Sequence, residues 1–421
     1  MSTTAQPPLL RNTNFRWLLG GGLVSMLGDQ FSMLALPWLV LSLTNDSLSL
    51  GIAVALMGAP RAVLILLGGT VADRYSPRRV LLLSKYANAA ILLALSGLLM
   101  LDQASLALAY AAALALGIAS AFAIPAGTAI LPQAVPLQTL QTANSLQMGA
   151  RQLSLLAGPL LAALVLGAHD GGQQTGTAAL AAAFAIDALT FLFSAWTLRQ
   201  VSLRPPAAAA AQGMWRDMAA GLSMVWRDMA LRSCYAYWAV VAFFVMGPLQ
   251  VALPVLASER LHGAPALGLL MGAHGAGTLA GMLASSLGGA WLRRRFGATL
   301  LAVDAVVGLL LMALGQIGTA WQGAALLAVT GMLGGYVQVA IFTWIQRRVA
   351  PAMLGRAMAV FMGIFLGLAP LSAAATGALL CHLSVGEQFC GGGALLLAAA
   401  IAAALWTDIA GIAGTPSVSS H

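Results

Sequence analysis

Long apolar stretches follow one another along almost the whole chain and are separated by short polar joints. A helix crosses the ~30 Å core of a bilayer with about 20 residues, and each stretch reaches that length. Apolar residues run continuously instead of alternating, which favours helices over the strands of a barrel. The pattern therefore predicts an all-α polytopic membrane protein with about twelve transmembrane helices.

Span boundaries follow from the ends of the apolar stretches, within a few residues. An even number of spans places both termini on one side of the membrane. The predicted spans are 15–43, 48–72, 79–101, 105–131, 140–167, 177–198, 233–257, 265–291, 298–318, 321–346, 355–381 and 388–407.

Basic residues are concentrated in every second joint. Most of the twenty Lys and Arg residues lie on the side that carries both termini, from Arg11 to Arg356, whereas the opposite joints carry acids such as Asp46 and Asp102. The positive-inside rule therefore predicts an inner-membrane protein with both termini in the cytoplasm. This bias accounts for the net charge of +8 without nucleic acid, for which no recognition motif is present.

Composition excludes several other classes of protein. With 60% apolar and 8% charged residues, the surface must face mostly lipid. No phosphate-binding loop, metalloprotease motif or serine-hydrolase motif occurs, so we expect neither an ATP-driven pump nor an enzyme. The three cysteines show no metal-ligand spacing, and no metal or cofactor is expected. Cys381 and Cys390 fall at the outer ends of neighbouring spans, which leaves a disulfide and two free thiols as open alternatives.

A long joint at 199–232 divides the chain into an N-terminal half, 1–198, and a C-terminal half, 233–421. The joint contains Trp-Arg-Asp-Met-Ala twice, at 215–219 and 226–230. The two copies are about three helical turns apart and share a face, which predicts an amphipathic helix on the cytoplasmic membrane surface. The halves also resemble each other, since Leu36-Pro37 recurs as Leu253-Pro254 at an offset shared by other matches.

The joint after the second span resembles the signature loop of the major facilitator superfamily. Gly69, Asp73, Arg74 and Arg78 match its glycine, acid and basic positions, and Arg79 continues the basic cluster. Ser76 and Pro77 stand where the family usually has glycine and a first basic residue. Further matches to the branch that contains macrolide-efflux and siderophore-export permeases are Gly28-Asp29-Gln30, Gly158-Pro159, Asp187-Ala188 and Gly355-Arg356.

The resemblance implies a fold of two six-helix halves and a secondary transporter that works by alternating access. It also implies that Asp73 acts as a conformational latch on the start of the eleventh span, near Gly355-Arg356. The alternative for Arg74, Arg78 and Arg79 is that they only fix topology and contact anionic lipid. Gly158 and Pro159 resemble part of an exporter motif in which a helix is kinked.

Four ionisable residues lie at a common depth in the first half: Asp29, Arg61, Arg151 and Asp187. Isolated charges at this depth are costly, so we expect them to neutralise one another. By resemblance, Asp29, Arg61 and Arg151 face the transport pathway, whereas Asp187 is a structural charge used in packing. Asp29 either binds a proton or a cationic group of the substrate, or it forms a permanent ion pair.

The second half contains fewer deep polar groups. His274 either takes part in proton transfer or makes a hydrogen-bonded helix contact. Asp304 lies close enough to a span end to reach the membrane interface, and Gln30 of the first half is a candidate for a polar pathway wall. A glycine-rich stretch, 275–281, predicts close helix packing and not a dinucleotide site, because no strand precedes it.

The sequence therefore predicts a monomeric carrier in the lipid bilayer. We expect proton-coupled efflux of lipophilic or cationic small molecules, as in drug or macrolide exporters. Alternatives are export of a siderophore-like metabolite, uptake of a solute, and a transporter-like sensor that moves no solute.

Overall fold

A computed structural model describes residues 9–167, 176–203, 214–261, 263–287, 295–350 and 353–412. These residues are almost entirely helical, and no strand occurs among them. In chain order the helices are α1 (Thr13–Thr44), α2 (Ser47–Tyr75), α3 (Pro77–Met100), α4 (Leu106–Ala134), α5 (Leu140–Gly167), α6 (Thr177–Arg199), α7 (Met214–Arg227), α8 (Met229–Gly247), α9 (Leu253–Arg260), α10 (Ala264–Leu287), α11 (Phe296–Leu314), α12 (Ala320–Arg348), α13 (Leu354–Leu379) and α14 (Val385–Trp406).

Twelve helical segments of the described chain are long and apolar enough to cross a membrane. One of them combines α8 and α9, which a π-helical turn at Pro248–Ala252 joins into a single span, Met229–Arg260. The predicted all-α fold with about twelve spans is confirmed, and each predicted span overlaps one of these segments. The seventh span begins four residues earlier than predicted, because Asp228 caps its first turn.

Short polar side chains complete the hydrogen bonds at helix ends. The first amides of a helix have no partner within the helix, so the joints must supply acceptors. Ser105 accepts from the backbone N–H of Leu108, and Thr319 and Ser384 each begin a reciprocal capping box. At the start of α2, a hydrogen bond from the Ser49 hydroxyl holds the pKa of Asp46 below its usual value, against a smaller effect of burial.

The chain separates into two compact units. The first contains Met1–Leu43 and Pro60–Ala210, and the second contains Thr44–Ala59 and Ala211–His421. Helix α2 therefore contributes its N-terminal part to the second unit and its C-terminal part to the first. In the first unit, α1, α4, α5 and α6 share a core that includes Phe15, Ile130 and Leu198.

An aromatic cluster forms the core of the second unit. The ring of Trp238 in α8 makes edge contacts with Trp344 of α12 and Phe361 of α13, at centroid distances of 6.0 and 5.4 Å. Phe296 at the start of α11 stacks on Trp344 at 5.3 Å. Edge-to-face and stacked rings add to the free energy of burial, so this cluster fixes four helices against one another.

Glycines allow α10 and α12 to pack at very short range. A Cβ added at Gly277 would lie 1.9 Å from the carbonyl oxygen of Ala328, and one at Gly281 would lie 1.9 Å from that of Met332. In return, Gly331 and Gly335 of α12 pack against the backbone of α10. Small residues four apart on both helices give this contact, and the prediction of helix packing in this stretch is confirmed.

Two further glycines let the first turns of α2 pack on α13 within the second unit. A Cβ at Gly51 would lie 2.9 Å from the Cα of Gly377, and one at Gly58 would lie 2.7 Å from Pro370. Residues 51 and 58 are two helical turns apart, as are 370 and 377. The two helices therefore run antiparallel along a seam in which larger side chains have no room.

Cys381 and Cys390 are both free thiols in this structure. Cys381 lies in the turn after α13, and its sulfur contacts the carbonyl oxygen of Gly377 in the last turn of that helix. The Cys390 sulfur lies against the carbonyl oxygen of Met312 and the amide group of Gln316. The disulfide that the sequence left open is therefore not formed.

Helix α7 has one packed face and one exposed face. Val225 is buried in the aromatic core, and a Cβ at Gly221 would lie 3.1 Å from Arg356. Leu222 and Trp226, four residues apart, are exposed on the other side. An amphipathic helix is present in the predicted linker, but it ends at Arg227, so the second sequence repeat continues into the start of α8 and the two copies do not share one helix. Contact of α7 with a membrane surface stays a prediction. The side chains of 214–218, which include most of the first sequence repeat, lie outside the described part.

Asp228 follows the linker helix α7 and ties the start of α8 to the end of α12 within the second unit. Its carboxylate caps α8 by accepting from the N–H groups of Ala230 and Leu231, and it forms a two-bond ion pair with Arg348 at 2.8 and 2.9 Å. Burial raises the pKa of Asp228, but hydrogen bonds from Arg348 and from the two backbone amides outweigh burial and hold the pKa below its usual value.

We expect Asp228→Ala to lower the free energy of unfolding by about 1–2 kcal/mol, because both the helix cap and the ion pair are lost. Asp228→Asn keeps a capping oxygen and is expected to lose less. Thermal unfolding in detergent, followed by tryptophan fluorescence, measures both. The pKa of Asp228 is lower in the folded protein than in the unfolded chain. Its contribution to the free energy of unfolding is therefore complete above the unfolded pKa of ~3.9 and is lost as the pH falls through the folded pKa. A difference between wild type and variant that persisted in strong acid would contradict this account.

Candidate functional site: a charge cluster in the first unit

Four ionisable side chains from four helices of the first unit meet in one region, here called the charge cluster. They are Asp29 of α1, Arg61 of α2, Lys85 of α3 and Asp187 of α6. Asp29 interacts electrostatically with Lys85 and Arg61, and Asp187 interacts with Asp29 and Lys85. Asp29 and Arg61 lie near the middle of their helices, where a charge without compensation is costly. Three of these residues were predicted to lie together, and Lys85 was not.

Asp187 is the most enclosed member of the charge cluster, with 1% of its surface exposed. Its carboxylate accepts a hydrogen bond from the Ser32 hydroxyl of α1. The hydroxyl of Thr190, one turn later in α6, donates to the backbone carbonyl oxygen of Asp187 at 2.7 Å and lies 3.3 Å from the other carboxylate oxygen, so its single hydrogen is shared between the two. Ser32 is therefore the main partner of the carboxylate and Thr190 a weaker one, and both stabilise a buried polar group.

Gly28 sets the distance between α1 and α6 beside this carboxylate. A Cβ at this position would lie 1.9 Å from the Thr190 hydroxyl oxygen and 2.7 Å from a carboxylate oxygen of Asp187. Any side chain at 28 would displace one or the other. The glycine therefore brings the Asp187 carboxylate close to the helix that carries Asp29.

Lys85 is the single lysine of the chain, and only 9% of its surface is exposed. Its ammonium group donates to the Ser25 hydroxyl of α1 at 3.3 Å and lies 5.7 Å from the centre of the Phe191 ring. Sequence reasoning counted Lys85 among the basic residues that fix topology. The sequence contains a pattern that indicates a buried position for Lys85. Lys85, Asn88 and Ser96 are polar residues that recur at helical spacing on one face of α3, and this face is buried.

Asp29 and Arg61 leave hydrogen-bonding capacity unused. The Asp29 side chain is exposed and makes no hydrogen bond to the described residues. The Nε atom of Arg61 is buried without a hydrogen-bond partner in the described chain. Ion-pair contact is absent as well, since Arg348 and Asp228 form the one ion pair found within the described ranges. The charges of the cluster thus interact at longer range and are not locked together.

Arg151 does not join the charge cluster as predicted. Its side chain is exposed on α5 and makes no hydrogen bond or ion pair to any residue that the structure describes. The second cation of the cluster is Lys85, which approaches from α3. A position along the helix can be read from the sequence, but the direction of the side chain depends on how α5 is rotated against its neighbours.

Gln30 is buried between α1 and α5 and packs against Gly158. A Cβ at Gly158 would lie 2.2 Å from Cγ of Gln30, so this glycine makes room for the glutamine side chain. Pro159 follows it inside a helix that continues from Leu140 to Gly167. The structure places Gln30 in a helix contact, and a pathway role for it and the kink at Pro159 stay predictions.

His274 and Asp304 lie in the second unit. His274 is half-buried, its ring is hydrogen-bonded to the backbone of Leu327 in α12, and its buried Nδ1 atom has no hydrogen-bond partner in the described chain. The prediction that Asp304 reaches the membrane interface is wrong. Only 6% of its surface is exposed, because the side chain points into the packed unit beside the Tyr237 phenol.

The signature loop is described only in part. Arg78 donates to the carbonyl oxygen of Arg199 at 2.6 Å and thereby ties the start of α3 to the end of α6. The guanidinium of Arg74 lies over the ring of Tyr75, Arg79 is exposed, and Gly69 is half-buried in α2. The side chain of Asp73 lies outside the described part, so its role as a latch stays a prediction.

The sequence profile of the Major Facilitator Superfamily matches residues 18–374. The chain belongs to the major facilitator superfamily. It is therefore a multi-pass membrane protein of a family of secondary transporters, as the signature loop and the twelve spans indicated.

Relatives of this major facilitator chain include named exporters. Multidrug efflux pump Tap of Mycolicibacterium fortuitum is 24% identical over 377 residues, which cover 88% of each chain. Enterobactin exporter EntS of Shigella boydii is 23% identical over 323 residues, or 76% of this chain and 74% of EntS. MFS-type transporter y4rN of Sinorhizobium fredii is 27% identical over 253 residues, and the match spans only 59% of either protein.

Solved structures share the fold at low sequence identity. A D-xylose-proton symporter aligns with a TM-score of 0.72 and 14% identity over 96% of this chain and 100% of the symporter. A bacterial homologue of the iron transporter ferroportin gives 0.64 and 17% identity over 94% and 98%. At such identities the likeness establishes the fold and leaves the substrate open.

Gly28→Ala should destabilise the permease by about 1–3 kcal/mol, since the new methyl group must displace Thr190 or Asp187. Gly22→Ala is the matched control in the same helix, because a Cβ there meets nothing within 4 Å. We expect the control to be neutral or slightly stabilising. Unfolding temperatures in detergent distinguish the two, and equal values would show that α1 and α6 are not in close contact at Gly28.

Ser76, at the position where the family usually has glycine, has a φ of 81°. This region costs a non-glycine residue ~1–3 kcal/mol, whereas glycine loses ~0.5–1 kcal/mol more chain entropy on folding. We therefore expect Ser76→Gly to stabilise the protein by about 1 kcal/mol. Ser223→Gly, within helix α7, serves as the control and should be destabilising. A lower unfolding temperature for Ser76→Gly would overturn the prediction.

Proposed function

We propose that this permease is a proton-coupled exporter of lipophilic or cationic small molecules and that the charge cluster binds the coupling proton. Membership of the superfamily supports secondary transport. Similarity to a multidrug efflux pump and to an enterobactin exporter supports export. We also propose that the protein lies in the inner membrane as a monomer with both termini in the cytoplasm, which the distribution of basic residues supports.

The observation that carries the proposal is the unused bonding capacity of the charge cluster. Asp187 is enclosed and accepts a hydrogen bond from the Ser32 hydroxyl, as is usual for a buried polar group that serves in packing. Asp29 instead has an exposed carboxylate without a hydrogen bond, and the buried Nε of Arg61 has no partner in the described chain. A proton, a water molecule or a cationic group of a substrate at Asp29 would use this capacity.

The charges and the accessibility of the two acids indicate which one gains and loses a proton. With both carboxylates ionised, Lys85 and Arg61 neutralise Asp29 and Asp187. Asp187 is enclosed and has hydroxyl partners on both oxygens, whereas Asp29 is accessible. We therefore assign proton binding to Asp29. A ligand can drive a conformational change only through its different affinity for the two states, and a proton at Asp29 alters the charge of the whole cluster.

Export of a siderophore-like metabolite is the second candidate, and similarity to the enterobactin exporter favours it. The two candidates make different demands on the charge cluster. A lipophilic cation would be attracted by Asp29, whereas an anionic metabolite would be attracted by Arg61 and Lys85. A protein that responded to neither class of compound would favour uptake of another solute or a sensor that moves none.

Proton release from inside-out vesicles with an acid interior is expected when the transported compound is added outside. A pH-sensitive dye measures the release for a panel of lipophilic cations, macrolides and siderophores. Asp29→Asn removes the titrating group, so we expect its signal to fall to that of vesicles without the protein.

Asp102→Asn makes the same chemical change in an exposed joint and is the matched control. We expect it to release protons at the wild-type rate. Release that survived Asp29→Asn would exclude Asp29 as the coupling residue but leave antiport intact. No release from wild-type vesicles with any compound would contradict the proposed function itself.

A further inference from the structure

We propose that Lys85 is a built-in competitor for the cation-binding site at Asp29. Its ammonium group is shared between Asp29 and Asp187 while the Asp29 carboxylate is empty, and it moves to Asp187 alone when a proton or a cationic group of the substrate occupies Asp29. The assignment rests on the proposed function, because it concerns the same site, and it names the ligand of that site as a cation that exchanges with the lysine.

The position of Lys85 between two carboxylates is the first argument. It interacts electrostatically with Asp29 of α1 and Asp187 of α6, yet it is in ion-pair contact with neither. From the helices packed around it, these are the ionisable groups that face the ammonium, and Arg61 of α2 faces Asp29 in turn. A lysine that only neutralised one acid would be expected in contact with it, since that contact repays the cost of burial.

Incomplete hydrogen bonding of the ammonium group is the second argument. An ammonium has three N–H donors. In the described structure it makes one hydrogen bond, to the Ser25 hydroxyl at 3.3 Å, and its remaining support is the face of the Phe191 ring. A ring face attracts a cation without fixing its direction, so it stabilises the ammonium on either side. The group is therefore held between the two acids and is tied to neither.

The two carboxylates differ in a way that gives the movement a direction. Asp29 is exposed and without hydrogen bonds, so a ligand can reach it. Asp187 is enclosed and carries hydroxyl partners from Ser32 and Thr190, so it can receive the ammonium where water is scarce. Competition for cations thus takes place at Asp29, and the displaced lysine is accommodated at Asp187.

The residue type suits this role. Lysine carries a compact charge on a flexible four-carbon stem, whereas the planar guanidinium of arginine favours a fixed two-bond geometry. All other basic residues of the chain are arginines, including Arg61 of the same cluster. The chain therefore has its one flexible cation at the point where a charge must change partners.

A single lysine also makes the test direct. Protein grown with lysine labelled at Cε and Nζ gives one side-chain resonance, which belongs to Lys85. In lipid nanodiscs, we expect this resonance to shift in one step as the pH is lowered, because protonation of Asp29 releases the ammonium. In Asp29→Asn the step should be absent, with the resonance fixed near its acidic position. Asp102→Asn is the control and should titrate like the wild type.

A second experiment on the same resonance identifies the cation that competes with Lys85. Tetraphenylphosphonium, a lipophilic cation, is added to wild-type protein at neutral pH. A shift towards the acidic position means that a cationic substrate displaces Lys85 as a proton does, and a response to pH alone means that the proton is the competitor. Either result supports the assignment. A resonance that moves with neither, or a pH step that persists in Asp29→Asn, overturns it.

Transport assays separate this proposal from the one on which it rests. Lys85→Met keeps the length of the side chain and removes its charge, so protons should stay bound at Asp29 and release from vesicles should be lost. Lys85→Arg keeps the charge and should recover release only in part. Absence of release from wild-type vesicles contradicts proton-coupled export, whereas normal release from Lys85→Met contradicts the role of Lys85 alone. The resonance of the wild-type protein decides the question even if Lys85→Met fails to fold.

Discussion

Absence of water from the hydrocarbon core of the bilayer is the constraint on which the rest of this structure depends. A backbone group that finds no partner in lipid costs several kcal/mol, so each crossing must be a helix that satisfies its own backbone. The helix ends meet the same constraint in the joints, where Asp46, Thr319 and Ser384 supply the first acceptors. Even the break between α8 and α9 is a continuous π-helical turn.

The same constraint changes what holds the helices together. Lipid tails are as apolar as leucine side chains, so burial of apolar surface gives little advantage to one helix pair over another. Close contact between backbones takes its place, as at Gly277 against Ala328 and at Gly51 against Gly377. Where larger side chains meet, the specific geometry of aromatic rings contributes, as between Trp238, Trp344 and Phe361.

The charge cluster differs from these apolar contacts, because placing charged groups in the membrane-spanning part costs free energy. Asp187 shows how a buried acid is stabilised by packing, with hydroxyl groups at both oxygens and a glycine that lets a neighbouring helix approach. Asp29, Arg61 and Lys85 lie in the same unit but have fewer hydrogen-bond partners than their polar groups could use. Glycines serve this region twice, because Gly28 brings α1 close to Asp187 and Gly158 accommodates Gln30.

The sequence by itself determined the helices, their order and their approximate ends. The length of each apolar stretch reflects the thickness of the bilayer, and short polar residues at the ends of the stretches cap the helices. It also determined the family, through the loop from Gly69 to Arg79, and the common level of Asp29, Arg61 and Asp187, which the structure brings together. Only the tertiary structure decided which side chains meet. It brought Lys85 to the charge cluster in place of Arg151, buried Asp304 beside Tyr237, and left Cys381 and Cys390 as thiols. The physical reason is that lipid-facing and core-facing positions are both apolar in a membrane helix, so the pattern along the chain fixes depth and leaves rotation to the packing of neighbouring helices.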